Sequence, residues 1–339
     1  MTGAEAETAP YPFTTREPAR AMADVPDPRL AAIADVQDIP RRVPAQVQLV
    51  DIAGLAAGAG HGEGLGGAAL GQLRQTDALL HVVRAFANAE VPHPEERVDP
   101  VADAEAVDLE LVVADREQVE RRLEKVRKGA RAGEKGAAAE LTALEKIATG
   151  LDAGRPARLT EDDAARAIAL DMGLLTAKPV LYVANTDEEL APPPGLAAHA
   201  AAQGAQALAL PVDTELELAE MEPEEAAQFA REMELGDTRG ADAVVAAAYR
   251  LLDLVTFFTG SGPPEARAWP IPRGTTAAVA AGKIHSDLER GFIRAEVIGW
   301  EDLVAAGSWS RARENATLRM EGRDYVVQEG DVMQVRFNV

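Results

Sequence analysis

Asp51 and Gly54 close an apolar run, Val47–Val50, with the residue types and spacing that hold magnesium and a γ-phosphate. A carboxylate at the carboxyl end of a parallel strand can bind Mg²⁺ through water, and the N–H of a glycine three residues on can reach a phosphate oxygen. VQLVD reads as a strand buried on both faces, as parallel strands usually are. Eight glycines from Gly54 to Gly71 predict a mobile loop behind it. Thr15, in PYPFTT, is a second candidate magnesium ligand through its hydroxyl, as in switch segments that fold over a γ-phosphate. Leu55 stands where phosphate-hydrolysing sites often carry a water-orienting glutamine, and leucine cannot orient water. His61, in the glycine loop, is the neighbouring group that titrates near neutral pH and hence the candidate catalytic residue. Taken singly, these residues also fit an ordinary strand-to-helix turn, a structural threonine and a solvated histidine.

Asn185, Thr186, Asp187 and Glu188 follow a second apolar run, KPVLYVA. A nucleotide-binding sheet places base recognition there: the asparagine amide can tie loops together and the Glu188 carboxylate can accept from a purine edge. The same residue types are favoured helix N-caps. Arg121, Arg122, Lys125, Arg127, Lys128, Arg131 and Lys135 form a third cluster in a chain of net charge −22. A local cationic end on so acidic a protein suits a phosphate backbone, RNA above all, and equally suits a solvated helix end complementing its dipole. His81, within an apolar strand pattern, reads as a core or edge histidine. No Ser-His-Asp arrangement, zinc-ligand spacing or glycosidase-type carboxylate pair stands out.

The elements that must position these groups alternate between strand and helix. Ala78–Phe86 and Gln206–Val212 are further strand candidates, while Leu30–Asp38, Ala68–Thr76 and Ala241–Leu254 are helix-like. Regular structure looks sparse before residue 46. Val112, Val119 and Val126 recur every seven residues with Leu109 and Leu123 between them, and Leu141, Leu144, Ile147 and Leu151 continue the seam beyond a glycine turn. Val101–Leu151 therefore reads as a helical hairpin inserted into an α/β sheet. Thr160-Glu-Asp-Asp163 resembles a capping box. After the Pro-rich stretch PPEARAWPIPRG, the pieces FIRAEVI, DYVVQ and VMQVRFNV predict a small mixed C-terminal domain.

The chain has 339 residues, 47% hydrophobic and 27% charged, enough for more than one core. It has no cysteine, which excludes disulfides, thiolate metal sites and thiol nucleophiles. The polar, acidic beginning lacks an apolar leader and no stretch approaches the roughly 20 apolar residues of a membrane span, so a cytoplasmic protein without a membrane partner is expected. The acidic balance, with a pI near 4.7, argues against non-specific nucleic-acid binding by the surface as a whole, and DNA is not an expected partner. A metabolic enzyme on a Rossmann-like sheet lacks support, because no Gly-x-Gly-x-x-Gly sits in a β-α context.

YPFTT, VPDPRL, VDIAGL with GEGLG, HVVRAF, VDP, LLTAKPVLYVAN, AWPIP, IHSDLERGFIRAEVI and EGRDYVVQEGDVMQVRFNV together resemble the YchF / Obg-like ATPase family of P-loop nucleoside triphosphatases along nearly the whole chain. The resemblance implies a fold of three parts. These are a G domain on an incomplete P-loop-type parallel sheet (1–100 with 178–262), a coiled-coil helical insertion (101–177) and a C-terminal β-grasp TGS domain (266–339). It implies ATP rather than GTP, Mg²⁺ held by Thr15 and Asp51, and nucleotide contacts from Asp51, Gly54, Asn185, Thr186 and Glu188. It also implies Leu55 in place of a catalytic glutamine, and association with the ribosome or its large subunit. Two departures bear on activity. The family's Gly-x-x-x-x-Gly-Lys-Ser loop belongs directly ahead of Thr2, and no Gly-Lys-Ser or Gly-Lys-Thr occurs in the chain. The lysine and backbone amides that hold the β/γ-phosphates are therefore expected to be missing and nucleotide binding to be impaired. Asp213-Thr-Glu215 stands where Ser-Ala-Lys is usual, so a carboxylate is expected to weaken base binding. A nucleotide-independent ribosome- or RNA-binding scaffold is the alternative.

Overall fold

The computed structural model describes residues 19–52, 67–88, 90–93, 96–233, 235, 240–262 and 264–338. The chain runs β1 (Ala19–Asp24), α1 (Pro28–Val36), β2 (Arg41–Val43), β3 (Gln46–Asp51), α2 (Gly67–Arg74), β4 (Leu79–Arg84), α3 (Pro100–Arg131), α4 (Ala137–Asp152) and α5 (Asp163–Asp171). It continues through β5 (Val180–Thr186), α6 (Pro194–Ala202), β6 (Gln206–Pro211), α7 (Val212–Glu220), α8 (Pro223–Glu232), α9 (Gly240–Leu251), β7 (Leu254–Thr259) and β8 (Glu265–Pro272). The last elements are α10 (Ala277–Ile284), α11 (Ser286–Arg290), β9 (Phe292–Gly299), α12 (Trp300–Ala306), α13 (Trp309–Glu314), β10 (Arg319–Glu321) and β11 (Asp331–Phe337). Two compact units result, one built on Leu49–Leu252 and the other on Met22–Gln48 with Asp253–Val339; the chain passes between them within β1 and β3.

In the first unit β4, β5 and β6 form a parallel sheet with β5 central, in register from Leu79↔Val180 to Arg84↔Asn185 and from Leu181↔Gln206 to Thr186↔Pro211. Alternation along β5 feeds both faces: Val180, Tyr182 and Ala184 pack with Leu111, Leu196 and Ala200, while Leu181 and Val183 pack with Leu210, Val244 and Ala247. Each buried valine or leucine among them contributes about 1.5–3 kcal/mol. The expectation for VQLVD is corrected. It is a strand, β3, but it pairs with β1 in a separate two-stranded sheet, and only Val47 is buried while Gln46, Gln48 and Asp51 are exposed. Among the described residues no strand joins β3 to β4, so neither has a second neighbour to cover it, and Val82 on β4 is 58% exposed.

Asp27 and Asp99 start α1 and α3: each side chain accepts a backbone N–H of the first turn, and Pro28 and Pro100 occupy the first helical positions. α1 matches the helix-like stretch Leu30–Asp38, whereas the strands β1 and β2 put regular structure into a region whose turn-rich sequence suggested little. The α3–α4 hairpin buries Val112, Val119, Leu123 and Val126 against Leu144, Ile147 and Leu151. Leu109 departs from this seam and is exposed. The end of α4 lies level with Arg116, whose Nε donates to Asp152 at 2.6 Å, and Leu109 lies nearly two turns outside that reach. α5 is capped by Asp162, which accepts from Ala165 N at 2.9 Å, rather than by Thr160.

The second unit holds a six-stranded sheet in the order β10-β9-β11-β7-β8-β2, parallel at β11–β7 and β2–β8 and antiparallel elsewhere. DYVVQ makes only an isolated bridge from Val326 to Thr276. The Tyr325 hydroxyl and Gln328 N–H both donate to Asp331, which closes this stretch into a turn ahead of β11. On β9 the buried Glu296 accepts from Arg313 at 2.6 Å and from Arg336 at 3.4 Å. Burial alone would raise its carboxyl, but the two guanidiniums outweigh it and hold the group below the usual glutamate range. A depressed folded value stabilises above the unfolded value of about 4.3 and is lost as pH falls through the folded one. Glu296→Gln is therefore expected to cost about 1 kcal/mol at neutral pH, a deficit that shrinks in acid. The midpoint of denaturant unfolding followed by tryptophan fluorescence checks this, because Trp269, Trp300 and Trp309 all lie in this unit. Among the described residues no helix is long and apolar enough to cross a membrane.

Candidate functional site

Asn185 and Thr186 end the central strand of the parallel sheet, where such sheets receive ligands. Asn185 is half-buried and its carbonyl accepts Ala85 N–H at 2.7 Å, which extends the ladder beyond Arg84. Thr186 is buried and its hydroxyl donates to the Glu189 carbonyl at 2.7 Å, folding 187–189 back over the strand end. The Asp187 carboxylate accepts Ala87 N–H at 3.4 Å, and Glu188 is exposed. Arg84 organises the facing loop: its guanidinium donates to the carbonyls of Phe86, Val91 and Asn88 and lies 4.5 Å from the centre of the Phe86 ring. Thus the second half of HVVRAF shapes the loop beside Asp187 through an arginine whose role the sequence pattern did not reveal.

Asp51 lies at the carboxyl end of β3, exposed and in a different sheet from Asn185. Thr15, Gly54, Leu55 and His61 lie outside the described residues. A single carboxylate suits Mg²⁺, which commonly takes one or two protein oxygens and completes its shell with water and phosphate. Among the described residues no group of three or more His, Asp or Glu side chains could hold a metal without such help. The carboxylates after β6 have separate positions. Asp213 is exposed in the first turn of α7, whereas Glu215 is buried and accepts Gly240 N–H at 2.6 Å, at the start of α9.

All seven basic residues of the hairpin tip are exposed, but they are not equivalent. Arg121 pairs with Glu117, Arg122 with Glu140 and Arg127 with Glu120. Lys125, Lys128, Arg131 and Lys135 have no acidic partner among the described residues, so their charge faces solvent.

A further polar cluster, which no motif suggested, joins the start of the hairpin to the sheet. Asp108 on α3 accepts the Tyr182 hydroxyl at 2.7 Å and His199 Nε2 at 2.8 Å, with His81 Nδ1 3.7 Å away. Burial opposes its charge, but these partners prevail and hold the Asp108 carboxyl below the usual range, while burial and Asp108 push the Tyr182 phenol up. Nearly two turns along α3, Asp115 is fully buried and accepts Leu175 N, Thr176 N and the Thr176 hydroxyl at 2.9, 2.7 and 2.7 Å.

A parallel sheet with loops at its carboxyl end, interrupted by a long helical hairpin, defines the class: an α/β nucleotide-binding protein of the GTPase type. A family model described as a 50S ribosome-binding GTPase matches residues 1–131, and the YchF GTPase C-terminal model, described as a protein of unknown function (DUF933), matches 254–338. The "Ribosome-binding ATPase YchF" of Bacillus subtilis is 42% identical over 347 residues, covering 100% of this chain and 94% of that protein. "Obg-like ATPase 1" of Oryza sativa subsp. japonica is 36% identical over 339 residues, covering 97% and 85%. The solved YchF GTPase of Schizosaccharomyces pombe superposes with a TM-score of 0.84 at 31% identity, covering 96% of this chain and 89% of that one. The chain belongs to the YchF family of Obg-like ATPases.

Proposed function

We propose that this protein associates with the ribosome in the cytoplasm, as the names of its relatives suggest for them, and that its sheet carries the base side of an ATP site, GTP being the less favoured nucleotide. The observation that carries the reading is Asn185 at the end of β5, clasped between the ends of β4 and β6 with Glu188 exposed beyond it. In this reading Asn185, Thr186 and Glu188 face the base. Asp51, Gly54 and Thr15 serve the γ-phosphate and Mg²⁺, and His61 is the candidate for orienting water. The proposed working division is a G domain (1–100 with 178–262), the helical insertion (101–177) and a TGS domain (266–339).

The 339 residues contain no Gly-Lys-Ser or Gly-Lys-Thr, and we infer that these residues by themselves hold the β/γ-phosphates weakly. Calorimetric titration with Mg-ATP is expected to give a dissociation constant of about 1 mM or weaker. A micromolar constant that Asn185→Ala weakens would overturn the impairment and support the base site. The exposed Lys125, Lys128, Arg131 and Lys135 also fit a second reading, a scaffold that binds the ribosome without turnover. Co-sedimentation that is unchanged by saturating ATP, ADP or no nucleotide supports it, and nucleotide-dependent co-sedimentation excludes it.

A further inference from the structure

At the root of the helical hairpin, inside the first unit, a half-open cavity of about 360 Å³ separates α3 from α6 and the segment after α4. One wall is apolar, formed by Leu109 and Val112 on α3. The opposite wall carries Arg158, half-buried, whose Nε donates to the Gln203 carbonyl at 2.9 Å and whose Nη1 donates to the Thr176 carbonyl at 3.3 Å. Among the described residues no carboxylate forms an ion pair with this guanidinium. The nearest acid in electrostatic terms, Asp108, is already engaged by Tyr182 and His199. An arginine removed from water without an ion-pair partner is uncommon, since burying charge is costly unless it is paired. The guanidinium also interacts with the Tyr182 hydroxyl, and Arg158 lines a cavity that a small ligand can enter.

We infer that this cavity is a second ligand site, distinct from the nucleotide site, and that it takes a small molecule bearing one carboxylate on a short apolar body. Arg158 would receive the carboxylate through charge-assisted hydrogen bonds, and Leu109 and Val112 would cover the hydrocarbon. Asp108 and Glu105, both at the cavity, disfavour a second negative charge, so polyphosphates and dicarboxylates are poor occupants.

Titrating the full chain with 4-methylpentanoate, and separately with inorganic phosphate, tests this by calorimetry and by chemical-shift changes. The carboxylate is expected to saturate with a dissociation constant of about 1 mM or tighter, with phosphate at least about tenfold weaker. Arg158→Gln is expected to weaken the carboxylate about tenfold or more. Ala202→Phe, at an exposed position of the cavity rim, is expected to block it while leaving the circular dichroism spectrum unchanged and needing no change at the arginine. Absence of saturation, phosphate binding as tightly as the carboxylate, or carboxylate binding that survives both substitutions overturns the proposal. Mg-ATP binding is expected to be unaffected by Ala202→Phe, which keeps this result separate from that of the nucleotide site.

Discussion

Replacing Lys125, Lys128, Arg131 and Lys135 together by glutamate is expected to lower ribosome association on the order of a hundredfold at about 0.1 M salt. These four cations occupy the last two turns of α3 and the turn before α4, exposed and without acidic partners among the described residues. In a chain of net −22 they form a local positive end, and contact with phosphates there would release counterions. The slope of log affinity against log salt is expected to fall by up to about one for each lysine or arginine lost. Reversing Arg121, Arg122 and Arg127 is expected to matter less, because Glu117, Glu140 and Glu120 already offset them. The fold is expected to withstand the quadruple change, since exposed substitutions usually shift stability by less than about 0.5 kcal/mol each. Ribosome co-sedimentation across a salt series, with the helical circular dichroism as control, decides the matter. Unchanged sedimentation would remove the tip from the interface.

The second large effect concerns stability. Asp115→Ala is expected to cost about 3 kcal/mol or more, because it leaves the N–H groups of Leu175 and Thr176 and the Thr176 hydroxyl buried without their acceptor. These bonds join α3 to the segment that enters β5, so they connect the hairpin core to the sheet. Burial outweighs the three donors and holds the Asp115 carboxyl above its usual range. A raised folded value means that the contribution is fully present below the unfolded value of about 3.9 and declines as pH rises through the folded one. The deficit of the alanine variant is therefore expected to be larger at mildly acidic than at neutral pH. Denaturant midpoints from far-ultraviolet circular dichroism at the two pH values measure it, and equal stability of the two proteins would show that water replaces the carboxylate.

Where local pattern and burial coincide, the sequence was readable. The seven-residue spacing of Val112, Val119 and Val126 located the hairpin, and KPVLYVAN located the central strand and the loop at its end. Leu109 shows the limit: its spacing matched the seam, but α4 ends before reaching it, and helix length relative to a partner is not written in one helix. β3 shows another. Its apolar run fitted a doubly covered strand, yet cover is supplied by neighbours, and among the described residues β3 pairs with β1 alone. Thr160-Glu-Asp-Asp163 held a cap signal one residue pair away from the side chain that accepts the bond, Asp162. Glu215 suggested an ill-suited charge near a base, and the fold uses its carboxylate at the start of α9.

Family membership, the helical hairpin, the central strand and the position of Asn185 at its end were legible in the sequence alone, because motif spacing and hydrophobic period are local properties. Tertiary structure decided which of seven similar basic residues remain unpaired, and it brought Asp108, His199 and Arg158 to one cavity with Tyr182 buried behind Asp108. The partners of Asp108 lie 74 and 91 residues away along the chain. Single polar residues at such separations leave no periodic trace. Their meeting follows from the packing of α3 and α6 on one face of β5, which brings the Tyr182 hydroxyl and His199 to the Asp108 carboxylate that accepts from both.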